Sequence, residues 1–294
     1  MMVSLNEIIK YLEEHGIAYK YYGDNNCSVE GFSSLNKYKE NTITWCKNSK
    51  YIPNEDKTYK LVICSKDLKE YFNNCICVGD SKNVFFSIVD YFWGEDVQSS
   101  SIGEGTYISE NVSVGKNVII GHNCVLDGDI IIGDNSRIFN NVVMVNKICI
   151  GEKCIIHSGT VLGHDDFSYT EDTNHNKKMI KHYGGVDIGA NVFIGSNCVI
   201  NRGTIDDTIV KDGAKIDAFC HISHNCVVGK NCSLISGTRL YGSTTVNDNA
   251  YIASAIVKNQ LSIGDNSIVG MGSVVLDDVE DNIVVAGIPA KRIK

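Results

Sequence analysis

The chain has 294 residues, of which 43% are hydrophobic, a composition typical of a globular protein of one or two domains. Its net charge of −8 and the lack of any long basic run exclude nucleic acid and anionic membrane surfaces as the main partners. No segment approaches the ~20 apolar residues that a membrane-spanning helix needs, and the acidic N-terminal segment is unlike a signal peptide. We therefore expect a cytoplasmic protein without a membrane span.

Residues 1–98 predict a small N-terminal α/β domain. Residues 4–15 have the apolar spacing of an amphipathic helix, and Ser4 and Glu7 have the spacing of a capping box. The remaining apolar segments are three predicted strands and one predicted helix, at residues 42–45, 61–64, 75–78 and 84–93. A polar, serine-rich stretch near residues 98–101 is typical of a domain boundary.

A six-residue repeat extends from residue 99 to residue 280. An apolar residue recurs at every sixth position from Ile102 to Leu162 and again, after an interruption at residues 163–185, from Ile188 onward. Glycine and polar turn formers often follow the apolar residue, so each unit is one short strand and one turn. A single unit cannot bury its apolar side chain alone, whereas stacked units share a core. The repeat therefore predicts a mainly β protein, a parallel β-helix with three strands per coil.

Three irregularities accompany the repeat. The spacing shortens to five residues at Ile205 and Val210, which both count as core positions in the prediction. The interruption at residues 163–185 is too long for a turn, and long loops on repeat proteins often carry function. Residues 281–294 follow the last repeat as a short C-terminal tail.

Twelve cysteines in a large chain without an export signal predict reduced thiols rather than disulfides. Six of them occupy the small-residue position of the repeat and are expected to face the core: Cys124, Cys154, Cys198, Cys220, Cys226 and Cys232. The spacing of Cys220, His221, His224 and Cys226 would allow a zinc site. Because the repeat directs two of these four side chains inward, we expect no metal there.

Several segments resemble the UDP-3-O-acylglucosamine N-acyltransferases of lipid A biosynthesis, which belong to the hexapeptide-repeat acyltransferase superfamily. The segments are FSSLNKY, TITWCKNSKY, IIHSGTVLGHDDFSY, NRGTIDDTIVKDGAKIDAFCHISHNCVVG, and GMG at 270–272. The resemblance implies a left-handed β-helix and a homotrimer with an active site between neighbouring subunits. It also implies transfer of an acyl group from a thioester donor to the amine of a UDP-linked amino sugar, without a permanently bound cofactor.

His224, in the SHN segment, matches the catalytic histidine of that family. A free imidazole has a pKa near ~6.5, so it can accept the proton that an amine loses as it attacks a thioester. The resemblance further implies that Asp217 orients this general base and that the backbone N–H of Gly242 stabilises the oxyanion. His221 and Gln260 are expected to contact the substrate.

Trp45, Asn48 and Tyr51 match the aromatic residue, the amide and the tyrosine with which that family holds a uracil ring. An aromatic face stacks on a base, and polar groups bond to its edge. The resemblance therefore implies uridine-nucleotide binding by the N-terminal domain. Without it, an aromatic residue at a strand end is usually part of the core.

Four features depart from the family pattern. Gln260 replaces a second histidine, Ala218 replaces an asparagine, and DDFSY at 165–169 replaces a DGFGF-like segment. The sequence also stops soon after the last repeat, without the C-terminal helices that engage acyl carrier protein, and its GIPAKRIK ending is similar to that of acetyl-CoA-dependent sugar acetyltransferases. The donor is therefore open between acyl carrier protein thioesters and acyl-CoA.

Three alternatives remain open from the sequence. One is an acetyl-CoA-dependent nucleotide-sugar N-acetyltransferase for a surface glycan. Another is a metal-dependent hexapeptide protein such as a γ-type carbonic anhydrase, but His221 and His224 lack an evident third histidine partner. The last is a non-catalytic trimeric scaffold, in which His224, like His122 and His157, is a solvated turn residue.

Overall fold

The computed structural model describes residues 1–53, 58–94 and 100–294. The chain divides into two compact units, Met1–Val97 and Gln98–Lys294. The boundary stretch predicted at residues 98–101 lies partly outside the described residues. Within the described ranges, none of the helices has the length and apolar character needed to cross a membrane.

The first unit is built on a five-stranded sheet. Its strands, in spatial order, are Tyr19–Tyr22, Cys75–Val78, Leu61–Cys64, Thr42–Cys46 and Gly31–Phe32. The first two strands are antiparallel and the other neighbours are parallel. The other elements are the paired strands Val3–Ser4 and Ser28–Val29, the helices Leu5–Glu14 and Ser81–Trp93, and the 3₁₀ segments Ser49–Tyr51 and Lys66–Tyr71.

The predicted N-terminal helix and its cap are confirmed. Helix Leu5–Glu14 begins after Ser4, whose hydroxyl accepts the backbone N–H of Glu7 at 3.3 Å. In return the Glu7 carboxylate accepts the backbone N–H of Ser4 at 2.7 Å, which completes the capping box. The second helix begins earlier than predicted, because Asp80 caps it by accepting the backbone N–H of Asn83 at 3.2 Å.

The second unit is a parallel β-helix with three sheets. The eleven-stranded sheet contains Ser101–Ile102, Ile119–Ile120, Arg137–Ile138, Ile155–Ile156, Phe193–Ile194, Lys215–Ile216, Ser233–Leu234, Tyr251–Ile252, Ile268–Val269, Val284–Ala286 and the antiparallel Lys291–Arg292. The nine-stranded sheet contains Tyr107–Ile108, Val125–Asp127, Val143–Val145, Val161–Leu162, Val199–Ile200, His221–Ile222, Arg239–Leu240, Ile256–Val257 and Val274–Val275. The eight-stranded sheet contains Val112–Val114, Ile130–Ile132, Ile148–Ile150, Val186–Ile188, Thr208–Val210, Val227–Val228, Thr245–Val246 and Ser262–Ile263.

Three repeats form one coil, and their apolar residues form the core, except at the start of the repeat, where the predicted core residues Ile102 and Val114 are 60% and 40% exposed. Strands of successive coils pair in register, so that Ile120 lies beside Ile138, and both are 1% exposed. The turns need a residue in the left-handed backbone region, which asparagine tolerates better than most other side chains. Asn117 and Asn135 adopt this conformation with φ of 54° and 61°. The recurring asparagines therefore suit the backbone conformation of these turns.

The predicted core position at Ile205 is wrong. Its side chain is 79% exposed and lies in an irregular loop between Ile200 and the next strand, Thr208–Val210. Spacing alone cannot distinguish an isoleucine in such a loop from one on a strand. The core also extends beyond the last predicted repeat, because Val285 is 5% exposed and its strand pairs in parallel with Ile268–Val269.

The prediction that six cysteines face the core is confirmed, since each of their side chains is at most 2% exposed. All twelve cysteines of the chain are free thiols. The interruption at residues 163–185, called the excursion below, contains an antiparallel hairpin of Tyr169–Glu171 and Lys177–Met179.

Candidate active site

A cleft of about 540 Å³ opens beside the turn that follows strand His221–Ile222. Turns of three successive coils and the start of the excursion form its walls. Its lining residues are Asp166, Phe167, His221, Ser223, His224, Tyr241, Gly242, Ser243, Asn259 and Gln260. The structure thus brings together His224, Gly242, His221 and Gln260, four of the residues selected from the sequence.

At five turns of the β-helix, a backbone N–H is bonded to a side chain of the next coil. The second residue after the apolar position donates its backbone N–H to an Asp or Asn side chain at the same position of the next coil. Such bonds, of 2.7–2.9 Å, join Lys116 to Asp134, His122 to Asn140, Ala190 to Asp212, Lys230 to Asp248 and Asp265 to Asp281. All five turns follow strands of the eight-stranded or the eleven-stranded sheet, whereas the turn of His224 follows the nine-stranded sheet.

The turn of His224, called the interrupted turn below, has no such bond to the next coil, because the equivalent residue there is Gly242. Glycine has no side chain to accept the backbone N–H of His224. This N–H instead donates to Oδ2 of Asp166 at 2.9 Å. Asp166 lies 58 positions earlier in the chain. The excursion therefore supplies the acceptor that the repeat lacks.

Gly242 also makes room for the imidazole of His224. A Cβ atom on Gly242 would lie 2.5 Å from Nε2 of His224, well inside van der Waals contact. Any other residue at this position would displace the ring. Among the residues described, none accepts the backbone N–H of Gly242, so a free donor remains in the wall of the cleft.

Asn225 determines which nitrogen of His224 carries the proton. Its Oδ1 accepts the backbone N–H and the hydroxyl of Thr204, at 3.1 and 2.8 Å, and its Nδ2 donates to the carbonyl oxygen of Asp206 at 3.0 Å. This network assigns Oδ1 as the atom 3.0 Å from Nδ1 of His224. Because an amide oxygen can only accept, Nδ1 of His224 is the donor, and Nε2 of the neutral ring keeps its lone pair.

Asp166 is held as an anion beside this turn. Burial raises the pKa of its carboxyl group, but hydrogen bonds from the backbone N–H groups of His224 and Phe167 outweigh burial and lower that pKa below its usual value. Phe167 N–H lies 2.7 Å from Oδ1. The Ser223 hydroxyl lowers the pKa further. The carboxylate can therefore keep its structural role throughout the neutral pH range.

His221 lies on the same wall of the cleft. Its Nε2 is 2.9 Å from the hydroxyl of Ser223. Desolvation lowers the pKa of His221, and the nearby Arg239 lowers it further, while Asp166 acts in the opposite direction. His221 is therefore a neutral imidazole at pH 7, available to form hydrogen bonds in the cleft.

The loop between Ile200 and Thr208 anchors the excursion. Nε of Arg202 donates to the carbonyl oxygen of Gly184 at 2.6 Å, and its Nη1 lies 3.9 Å from Asp165. The Asp207 carboxylate accepts the backbone N–H of Gly185 at 2.6 Å. Both ends of the excursion are therefore fixed, which explains how Asp166 can take a defined place beside His224.

Asp217 was expected to orient His224, but the structure does not bring the two together. Its Oδ1 accepts the backbone N–H of Ala218 at 2.7 Å and its Oδ2 accepts that of Ser236 at 3.2 Å. The side chain at Nδ1 of His224 is Asn225 instead. Sequence reasoning missed Asn225 because asparagine recurs at most turns of the repeat, so nothing distinguishes this one.

A second pocket, of about 390 Å³, lies in the first unit. Its lining residues are Ser34, Leu35, Asn36, Trp45, Cys46, Lys47, Tyr51 and Lys82. Trp45 and Tyr51 therefore come together, but Asn48 is not part of the lining. Its side chain accepts the backbone N–H of Lys50 at 3.0 Å and caps the 3₁₀ segment Ser49–Tyr51. Lys47 and Lys82 are pocket residues that the sequence did not reveal.

The cysteines near His224 do not form the zinc cluster that their spacing allows. The thiols of Cys220 and Cys226 lie 3.5 and 3.3 Å from the carbonyl oxygens of Ile235 and Tyr241, inside the β-helix. Within the described parts of the chain, the grouping of three metal-ligating side chains that does occur is Cys64, Cys75 and Cys77, buried in the first unit. The cleft at His224 is thus built from hydrogen-bonding groups.

Similarity to known proteins agrees with this geometry. The family model described as the hexapeptide repeat of succinyl-transferase matches residues 111–144, 185–218 and 260–277. The UDP-N-acetylglucosamine acyltransferase of Bacteroides fragilis has a similar solved structure, with a TM-score of 0.59 and 25% identity over 65% of this chain and 73% of its own. That of Francisella novicida, 24% identical over 65% of this chain and 68% of its own, also has a TM-score of 0.59 and shares the fold.

Two curated relatives carry the name UDP-3-O-acylglucosamine N-acyltransferase. The protein of Helicobacter pylori is 41% identical over 93 residues, which cover 32% of this chain and 28% of that protein. The protein of Campylobacter lari is 31% identical over an alignment that covers 98% of this chain and 93% of its own length. The chain is therefore an acyltransferase that belongs to the UDP-3-O-acylglucosamine N-acyltransferase family.

Proposed function

We propose that the protein transfers an acyl group from a thioester to the amine of a UDP-linked amino sugar, in the manner of a UDP-3-O-acylglucosamine N-acyltransferase. The observation that carries the proposal is the pair of groups at the interrupted turn. Nε2 of His224 has a free lone pair, and the backbone N–H of Gly242 has no acceptor in the described structure. Amide formation from an amine and a thioester needs one base and one oxyanion donor.

The reaction follows from these two groups. The amine nitrogen attacks the thioester carbonyl carbon, and Nε2 of His224 takes the proton that the nitrogen loses. The carbonyl oxygen becomes an oxyanion, to which the N–H of Gly242 donates. Collapse of the tetrahedral intermediate breaks the carbon–sulfur bond, and the leaving thiolate takes the proton from the imidazolium. The products are an amide and a free thiol, and His224 returns to its starting state.

The first unit is proposed to hold the uridine nucleotide. Trp45 and Tyr51 supply aromatic faces on which a base can stack. Lys47 and Lys82 line the same pocket and carry the positive charge that a diphosphate requires. The proposed nucleotide contacts are therefore Trp45 and Tyr51, with Asn48 fixing the backbone of the adjoining segment.

We propose a homotrimer for the working protein, located in the cytoplasm. The β-helix unit exposes large apolar side chains, among them Phe167, which lines the cleft, at 82% and Phe219 at 63% exposure. Apolar groups of this size at a surface are typical of sites that another chain covers. The acyl donor remains either an acyl carrier protein thioester or an acyl-CoA, and no permanently bound cofactor is required by the reaction.

A donor-by-acceptor screen tests the proposed function. The purified protein is incubated with acetyl-CoA, longer acyl-CoAs and acyl carrier protein thioesters against UDP- and dTDP-linked amino sugars and their hydroxyl counterparts, and products are identified by mass spectrometry. We expect an N-acylated UDP-sugar with at least one donor. Absence of any acylated amino sugar overturns the proposal. A product formed only with acetyl-CoA instead identifies a nucleotide-sugar N-acetyltransferase.

A further inference from the structure

His182 lies next to the proposed base but has no assigned role. Its imidazole, at the C-terminal end of the excursion, is fully buried, with 0% exposure. The ring stands edge to face against that of His224, with centroids 5.6 Å apart and planes at 80°. It does not line the cleft, so it reaches the reacting atoms only through His224.

Backbone contacts on both sides hold His182 in place. Its own backbone N–H donates to Oδ2 of Asp165 at 3.3 Å. The backbone N–H of Tyr183 donates to the carbonyl oxygen of Thr204 at 2.8 Å, and that of Gly184 donates to the carbonyl oxygen of Gly203 at 3.0 Å. The ring therefore stays beside His224 without any contribution from its own Nε2 atom.

The hydrogen bonding of His182 identifies Nε2 as an unused acceptor. Nδ1 lies 2.9 Å from the carbonyl oxygen of Ile180, and since a carbonyl only accepts, Nδ1 carries a proton. In the neutral ring, Nε2 then bears a lone pair. This atom is buried and finds no partner among the described residues. Buried polar atoms are nearly always paired, so an exception beside a proposed catalytic group calls for a functional explanation.

We propose that His182 is a positioning residue that favours the imidazolium form of His224. Its ring lies edge to face with that of His224, with centroids 5.6 Å apart, and its Nε2 is buried and unpaired. The lone pair of this neutral imidazole is a source of negative potential in the same buried surroundings in which His224 takes the proton. Electrostatic effects of this kind are strong where water is excluded. The inference rests on the proposed function, in which His224 is the general base.

Other charged groups around the two rings remain unchanged when His182 is replaced. Asp166 accepts the backbone N–H of His224, and Asp165 accepts that of His182. Arg202 lies 3.9 Å from Asp165, and His221 is joined to the same wall through Ser223. A difference between variants at position 182 therefore reports on the imidazole of His182 itself.

The test compares His182→Phe, which keeps a ring but removes both nitrogens, with His182→Gln, which keeps an acceptor. The titration of His224 is followed by nitrogen-15 NMR, and kcat and KM are measured against pH. We expect the Phe variant to titrate at His224 about one pH unit lower than the wild type, with kcat about tenfold lower at pH 7 and KM for the sugar unchanged. The Gln variant should recover most of both effects.

The matched control is His157→Phe, because His157 stacks on Phe139 at 4.5 Å elsewhere on the β-helix. It should leave the titration and kcat unchanged. An unchanged titration of His224 in His182→Phe overturns the inference. If His182→Phe does not fold, nitrogen-15 NMR of His182 in the wild-type protein tests the inference instead. A proton on Nε2 of His182 at pH 8 would remove the lone pair and overturn the inference. A shifted titration in a protein that acylates no amino sugar would support the inference and reject the proposed function.

Discussion

Two turns of the same β-helix differ in the acceptor that each provides for a backbone N–H. At the turn of Lys230, the backbone N–H donates to the side chain of Asp248 in the next coil at 2.8 Å. At the turn of His224, the next coil offers Gly242, and the N–H turns to Asp166 of the excursion. At the turn of Lys230, the next coil supplies the acceptor for the backbone N–H. The interrupted turn leaves two groups free for a substrate, Nε2 of His224 and the N–H of Gly242.

The candidate site therefore combines a residue without a side chain, Gly242, with an acceptor from a distant part of the chain. Gly242 provides space and a free donor, but it offers no acceptor to the backbone N–H of His224. A buried donor without a partner destabilises a fold by ~1–3 kcal/mol. Asp166 prevents this loss, so the excursion is part of the site's structure as well as of its walls.

The largest expected effect is that of His224→Ala, which removes the base from the interrupted turn. General bases contribute about 10²- to 10⁴-fold, so kcat for amide formation should fall by at least about a hundredfold. Steady-state assays with the best donor and acceptor from the screen measure this. His157→Ala is the matched control and should retain activity. Unchanged acylation in His224→Ala would show that His224 is not the general base.

An amide side chain at position 242 should have nearly as large an effect. Gly242→Asn supplies an acceptor of the kind found at five other turns, but its Cβ atom would occupy space 2.5 Å from Nε2 of His224. We expect kcat to fall by about a hundredfold, a loss typical of removing a catalytic group, while the melting temperature does not fall. Gly79→Asn, at a site with open space, is the control. Full activity in Gly242→Asn would show that the gap at 242 is not needed.

The partner of Nδ1 should matter less than the base itself. Asn225→Gly tolerates the positive φ of 57° at this turn and removes the acceptor that holds Nδ1–H, so part of the enzyme would carry its proton on Nε2 and be unable to act as a base. We expect kcat to fall by about ten- to a hundredfold. Asn225→Asp keeps an acceptor at the same place and should retain more activity. The hypothesis about Asn225 fails if the two variants have equal rates.

The N-terminal pocket should affect binding rather than chemistry. Trp45→Ala removes an aromatic face from the pocket, and aromatic stacking contributes about 0.5–1.5 kcal/mol. We therefore expect KM for the UDP-sugar to rise by about three- to tenfold with little change in kcat. Trp93→Phe, in the same unit but outside the pocket, is the control. A loss of kcat without a change in KM would argue against nucleotide binding here.

The smallest effect concerns stability and pH. The pKa of Asp166 is lower in the folded chain than in the unfolded chain, so the anion stabilises the fold above about pH 4, the ordinary range of an aspartate. Asp166→Asn should therefore lower the free energy of unfolding at pH 5–8. The difference from wild type should shrink as the pH falls through the lowered pKa. Urea unfolding at several pH values measures this, and a difference independent of pH down to 2 would contradict it.

The sequence predicts the β-helix well because each core position repeats the same demand, an apolar side chain facing inward. It fails at Ile205, where a loop residue happens to continue the spacing. The spacing of apolar residues does not reveal where the chain leaves the regular coil in a loop.

The candidate site is only partly predictable. His224 and Gly242 could be selected by resemblance, and the structure places them in one cleft. Asp166 could not, because its contact with His224 spans 58 positions and depends on how the excursion folds. Asn225 was hidden among similar turn residues, and Asp217 was selected although its carboxylate bonds to neighbouring backbone groups.

Nitrogen-15 NMR of the imidazole shows whether Nε2 of His224 is the free acceptor that the proposed reaction needs. In the wild-type protein at pH 8, we expect the proton on Nδ1 and a bare Nε2 atom, because Asn225 offers an oxygen to Nδ1. A His224 ring with its proton on Nε2 would rule out this role, since such a nitrogen cannot receive the proton of an amine.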